Sequence, residues 1–148
     1  MQQHHLERFL RDFAEYDLKH LEMFGFGLLE EDDCTYAWKR GNLSLTVSVD
    51  PRDGYLYFNF VQLEDGFTNF ASLDVIYHTL GGRGKLLSNQ YSRPKSTLDL
   101  ELKRFQWLVM LERIEPILLN PQALEKIFQD HPNSLLIWPP PKFGSEDD

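Results

Sequence analysis

Leu43-Ser-Leu-Thr-Val-Ser-Val-Asp-Pro-Arg-Asp-Gly-Tyr-Leu-Tyr-Phe-Asn-Phe60 is two alternating runs joined by a turn. In the first run Leu43, Leu45, Val47 and Val49 alternate with small polar residues, the period of a strand with one covered face. Asp50-Pro-Arg-Asp-Gly54 supplies an aspartate to start a turn, a proline with φ already set, and a glycine that accepts positive φ. A four-residue loop between Asp50 and Tyr55 would set Val49 opposite Leu56, Val47 opposite Phe58 and Leu45 opposite Phe60. Three apolar pairs in succession specify this register, because a slip of one residue would turn every side chain to the other face.

The same reasoning extends upstream. Cys34-Thr-Tyr-Ala-Trp-Lys-Arg40 meets Leu43 through Gly41-Asn42, a two-residue loop of types that tolerate positive φ. Trp38 then opposes Leu45, Tyr36 opposes Val47, and Cys34 opposes Val49. One face collects Cys34, Tyr36, Trp38, Leu45, Val47, Val49, Leu56, Phe58 and Phe60. The other carries Thr35, Ala37, Lys39, Ser44, Thr46, Ser48, Tyr55, Tyr57 and Asn59, and is expected to meet solvent or a partner. Phe26-Gly-Leu-Leu-Glu30 is a candidate fourth strand.

Around this meander the spacing is helical. Leu6, Phe9, Leu10, Phe13, Tyr16 and then His20 or Leu21 predict one amphipathic N-terminal helix with Gly25 as its stop. Ser72 to Gly81 reads as a short helix capped by Ser72 and ended by Gly81. The longest helix starts at Ser96 with Asp99 three residues on, a capping-box spacing, and Leu98, Leu102, Phe105, Leu108, Val109, Ile114 and Ile117 are expected to cover the sheet. Pro116 must kink or end it. Asn120-Pro121 caps a last helix with Leu124, Ile127 and Phe128 inward. Leu135 to Trp138 could add a late strand. The fold class is therefore α+β: an antiparallel three- to four-stranded meander at about residues 26–63, with an N-terminal helix and C-terminal helices packed on one face. The expected organisation is one domain over residues 1–138 and a mobile Pro-rich, acidic tail at 139–148.

The chain has 148 residues and a net charge of −8, which argues against direct binding of nucleic acid, since phosphate contacts need a basic footprint. Residues 1–33 hold nine acids against three bases, so most of the excess is N-terminal. Glu30, Glu31, Asp32 and Asp33 form its densest run, readable as a solvated loop or as a patch that steers a basic partner. No apolar run approaches the roughly 18 residues of a membrane helix, and a cytoplasmic location without membrane contact is expected. The single cysteine, Cys34, excludes an intramolecular disulfide, and its sheet position favours a small core hydrophobe over a nucleophile.

Catalytic motifs are missing. His4, His5, His20, His78 and His131 are scattered without ligand spacing, so no metal or cofactor is expected. Gly81-Gly-Arg-Gly-Lys85 lacks the preceding strand and following Ser or Thr of a phosphate loop, and reads as a linker. Asp50 and Asp53 serve the turn before any acid-base role.

Gly25-Phe-Gly-Leu-Leu-Glu-Glu-Asp, two hairpinned strands ending near Asp50-Pro-Arg-Asp-Gly, then Ser72-Leu-Asp-Val-Ile and a long Leu-rich helix resemble small bacterial toxin-immunity proteins in order and texture over about residues 6–130. The resemblance implies a non-catalytic module that neutralises a basic toxin or enzyme, and it carries over no site residue. The partner-facing residues read from the sequence are Glu30, Glu31, Asp32, Asp33, Tyr55 and Tyr57. The alternatives are a small-molecule-binding protein or enzyme, with a sheet–helix pocket lined by Trp38, Tyr57 or His78, and a homodimer formed through a strand edge.

Overall fold

Five of the six apolar pairs inferred from alternation stand in the strand register, and Cys34 lies just outside it. Val49 faces Leu56, Val47 faces Phe58 and Leu45 faces Phe60, while Trp38 faces Leu45 and Tyr36 faces Val47. The computed structural model describes residues 1–64, 67–81, 92–118 and 120–130. It contains an antiparallel meander of five strands in sequence order: β1 (Gly27–Glu31), β2 (Thr35–Arg40), β3 (Leu43–Val49), β4 (Leu56–Glu64) and β5 (Phe67–Ser72). The candidate strand at Phe26–Glu30 forms one residue further on, at Gly27–Glu31, and the meander runs one strand beyond the three or four expected. Phe67-Thr-Asn-Phe-Ala-Ser72 lacks clean alternation because a small residue, Ala71, fills the inward position opposite Phe60. Both residues are fully buried.

The turns form as their residues dictate. Asp50 Oδ1 accepts from the Arg52 N–H at 2.9 Å, the Gly54 N–H reaches Asp50 O at 2.7 Å, and Asp50 N–H reaches Tyr55 O at 2.9 Å. Gly54 and Gly41 take the positive φ these loops need.

Among the described residues the α-helices are α1 (Gln3–Asp12), α2 (Leu73–Thr79), α3 (Thr97–Leu118) and α4 (Pro121–Asp130). The expected single N-terminal helix is instead α1, a π-helical turn at Phe13–Asp17 and a 3₁₀ segment at Lys19–Phe24. The π turn is closed by the Leu18 N–H on Phe13 O, five residues back. Leu6, Leu10, Phe13, Leu18 and Leu21 are buried, but Tyr16 turns outward to solvent and His20 to Glu115. Gly25, at φ 91°, ends the segment in the left-handed conformation.

α3 starts as its sequence indicates: Ser96 Oγ accepts from the Asp99 N–H at 3.2 Å, and Asp99 Oδ2 accepts from the Lys95 N–H at 2.9 Å. Its inward face follows the expected stripe only in part: Ile114 is buried and Leu108 and Ile117 pack against the core. Leu100, Lys103, Trp107, Met110, Leu111, Ile114 and Leu118 are buried, whereas Leu98, Phe105 and Val109 are exposed. Apolar residues lie on both faces of this helix, and the face bearing Trp107 won. The indole ring lies 5.1 Å from Phe13 and 5.4 Å from Phe58, centroid to centroid, joining the π turn, α3 and β4 in one aromatic cluster.

The helix passes Pro116 and ends two residues later at Leu118. Its last carbonyl accepts from Arg40 Nη1, which also donates to Phe24 O at 2.9 Å, while the guanidinium lies 4.5 Å from the Phe26 ring. A cation at a helix C-terminus complements its dipole. Asn120 caps α4 by accepting from the Gln122 N–H at 3.1 Å, and Ile127 packs on the core. Ser72 occupies the cap position of α2, but its hydroxyl donates to Asp74 Oδ1 at 2.6 Å rather than accepting from the backbone. The side chains of Leu124 and Phe128, the loop from Gly82, the Leu135–Trp138 strand and the Pro-rich tail lie outside the described residues.

Candidate functional site

The β1–β2 turn folds because Asp32 serves its own backbone: Asp32 Oδ1 accepts from the Cys34 N–H at 2.7 Å, and the Asp32 N–H donates to Thr35 O at 2.9 Å. The first turns of α1 lie across it. Gln3 Nε2 donates to Glu7 Oε2 at 3.2 Å and reaches Cys34 Sγ at 3.6 Å. Between helix and turn is a cleft of about 460 Å³. Glu7, Glu31, Asp32 and Asp33 line it together with His4, Arg8, Arg11 and Tyr36.

The strand register explains which acids reach the cleft. Leu28 pairs with Trp38, but the next pair is Glu30 with Ala37, and Leu29 is passed over in a β-bulge. Glu31 therefore pairs with Tyr36 and shares its face, while Glu30 follows Ala37 to the outer face of the sheet. The four-residue acidic run is split: three members enter the cleft and Glu30 does not.

Tyr55 and Tyr57 belong to that outer face as well. Tyr57 pairs with Ser48, and Ser48 in turn with Thr35. The two phenol rings stack with centroids 6.4 Å apart, and the Arg93 guanidinium lies 5.8 Å from the Tyr55 ring. The fold thus brings the acidic turn and the tyrosines to one end of the sheet but onto opposite faces. Trp38 and Tyr57 also lie on opposite faces, so no sheet–helix pocket is lined by both.

Three titratable groups at this end register its negative field. Burial pushes the Cys34 thiol up, aided by Glu7, Asp32 and Asp33. Burial raises the Tyr36 phenol, with Glu31, Glu15 and Asp33 adding to it and Arg11 opposing. Tyr57 is raised by burial and then by Asp50 and Asp53. Each group is thereby held in its neutral, hydrogen-donating form. Cys34 is half-buried at the edge of the core instead of within the strand face, with its carbonyl accepting from the Val49 N–H at 2.9 Å. A raised thiol pKa is the reverse of what a nucleophilic cysteine requires.

Two further features had no signal in the sequence. His20 Nε2 pairs with Glu115 across 95 positions of chain, at the edge of a groove of about 430 Å³ lined also by Phe105, Leu108, Val109 and Glu112. Lys103 is buried in the core face of α3, its Nζ 5.4 Å from the Trp107 ring and 3.4 Å from Ser92 Oγ. Desolvation lowers its pKa to about 8, partly offset by Asp74. Among the described residues no three His, Cys, Asp or Glu side chains gather to hold a metal ion, and no helix is long and apolar enough to cross a membrane. The cleft residues on α1 were legible only as the polar side of an amphipathic helix. Compared with protein families, characterised proteins and solved structures, the chain matches none.

Proposed function

We propose that this protein is a non-catalytic binding module whose acidic sheet end receives a basic protein. The observation that carries the reading is the convergence of Glu7, Glu31, Asp32 and Asp33 on one cleft, where these four carboxylates outnumber Arg8 and Arg11 and come from more than one element instead of a single charge run. Carboxylates fixed on one surface steer an oppositely charged partner and align it. The resemblance to small bacterial toxin-immunity proteins gives the partner a class: a basic toxin or enzyme that the module neutralises by occupying its surface.

The experiment is a titration of the full chain against the product of the neighbouring gene, at rising ionic strength. The expected result is an affinity that falls with salt and falls further when Glu7, Glu31 and Asp33 are neutralised as E7Q, E31Q and D33N. Asp32 is left intact because it builds the turn. Absence of binding, or binding indifferent to both salt and these substitutions, overturns the reading.

A further inference from the structure

Among the described residues β1 is an outer strand, paired on one side with β2. All five of its residues, Gly27 to Glu31, are exposed, with Leu28 at 51% and Leu29 at 58%. Along the free side of such a strand, alternate backbone N–H and C=O groups point away from the sheet and can template another strand. Soluble proteins guard such edges with proline, with charged side chains, with bulges, by keeping them short or by covering them. Of these, the five-residue β1 has a bulge at Leu29 and two glutamates, with neither proline nor lysine, so its guard is one of negative charge.

Charge decides what can pair there. A second copy meeting β1 antiparallel about Leu29 would set Glu30 beside the other copy's Leu28, and Glu31 beside its Gly27. The two Glu30 side chains would then stand diagonally across the new pairing, about 7–8 Å apart, and no carboxylate of either copy would meet an opposite charge. That separation is about one Debye length at physiological salt, so these two repel. Glu30, Glu31, Asp32 and Asp33 attract an extended segment of opposite sign.

We propose that the outer edge of β1 accepts an extended segment of a basic partner as a sixth strand. The segment places Lys or Arg against Glu30 and Glu31 and an apolar residue over Leu28 or Leu29. Main-chain hydrogen bonds hold it in place, and the alternation of its side chains selects it. This rests on the reading of the chain as a binder of a basic protein, and it adds the mode of docking.

Amide hydrogen exchange on the full chain tests it, with a synthetic alternating Lys-Val peptide as the probe and the corresponding Glu-Val peptide as control. The expected result is several-fold slower exchange across Gly27–Glu31 with the Lys-Val peptide and no change with the Glu-Val peptide. Leu29→Pro removes that protection by denying the incoming strand a regular edge. Leu29→Lys, which leaves the backbone able to pair, weakens it through charge, and circular dichroism of both variants checks the fold. Protection confined to α1 and the Glu31–Asp33 turn overturns strand docking while leaving the acidic-cleft reading standing. No protection anywhere, even at low salt, removes both. Equal protection by the two peptides overturns the charge argument. Concentration-dependent protection of β1 without peptide, with a doubled mass in solution, assigns the edge to a second copy and overturns the proposal.

Discussion

Arg104 grips Asp17 through two parallel bonds of 2.8 Å, Nε to Oδ2 and Nη2 to Oδ1, tying α3 to the π turn that interrupts the N-terminal helical segment. The Asp17 carboxylate is only 10% exposed although the arginine is half in solvent. Bidentate geometry strengthens this pair, but solvent screening keeps its value small. A double-mutant cycle of Asp17→Asn and Arg104→Gln, read by denaturant unfolding, is expected to give a coupling of about 1 kcal/mol that shrinks with added salt. Additive effects of the two changes would mean that the pair does not hold α3 to the turn.

The two faces of α3 predict opposite outcomes for neighbouring aromatic residues. Phe105 is 66% exposed, whereas Trp107 is buried among Phe9, Phe13 and Phe58. Phe105→Ser should change stability by no more than about 0.5 kcal/mol, and Trp107→Ala should cost about 3–5 kcal/mol. Equal costs would show that the helix presents the other stripe to the sheet.

The contrast marks what a sequence can disclose. Strand register was readable because period-2 alternation in β2, β3 and β4 had one solution that put Trp38, Leu45, Val47, Val49, Leu56, Phe58 and Phe60 on one face. Rotation of α3 was not, because Leu98, Leu102, Phe105 and Val109 form as good a stripe as Leu100, Trp107, Met110 and Ile114, and the buried stripe contains a lysine that disguises it. The acidic run was legible as charge. Its division between two faces turns on the bulge at Leu29, a one-residue insertion with no composition of its own. His20 and Glu115 were each visible, but their pairing is a product of the tertiary fold.

Lys103 predicts a pH dependence. Burial holds its folded pKa at about 8 against an ordinary 10.5. Between those values the unfolded chain binds the proton that the folded chain has released, so this residue's contribution to stability rises with pH across that window. Below pH 8 both states are charged and the desolvation cost is present in full, about 3 kcal/mol for a shift of this size. The stability of the wild type relative to Lys103→Met should therefore climb as pH rises from 8 to 10. A flat difference would mean that the ammonium is not desolvated.

Gly25 combines two constraints. Its φ is 91°, and a Cβ placed there would lie 3.3 Å from Arg40 Cδ. Gly25→Ala must therefore strain the backbone and displace a side chain that holds Phe24 O and Leu118 O. A loss of about 1–2 kcal/mol in chemical denaturation is expected from the backbone term. An unchanged midpoint would show that the segment can leave the left-handed conformation without cost.

Cys34 offers a reading of the cleft's field that needs no partner. Its thiol is held protonated first by burial and then by Glu7, Asp32 and Asp33, while the hydrogen bond from Gln3 pulls the other way. Since the thiolate is the reactive species, alkylation by iodoacetamide near pH 8 should be slower than for a cysteine in an unfolded peptide. Removing neighbouring charge should release part of that brake: Glu7→Gln with Asp33→Asn is expected to raise the rate about two- to fivefold at low salt. Added salt should raise the wild-type rate as well and bring the two proteins together, because screening acts on the charge term and leaves burial untouched. If the double variant reacts no faster, burial alone governs the thiol, and the carboxylates lining this cleft do not act together as the negative surface that a basic partner would meet.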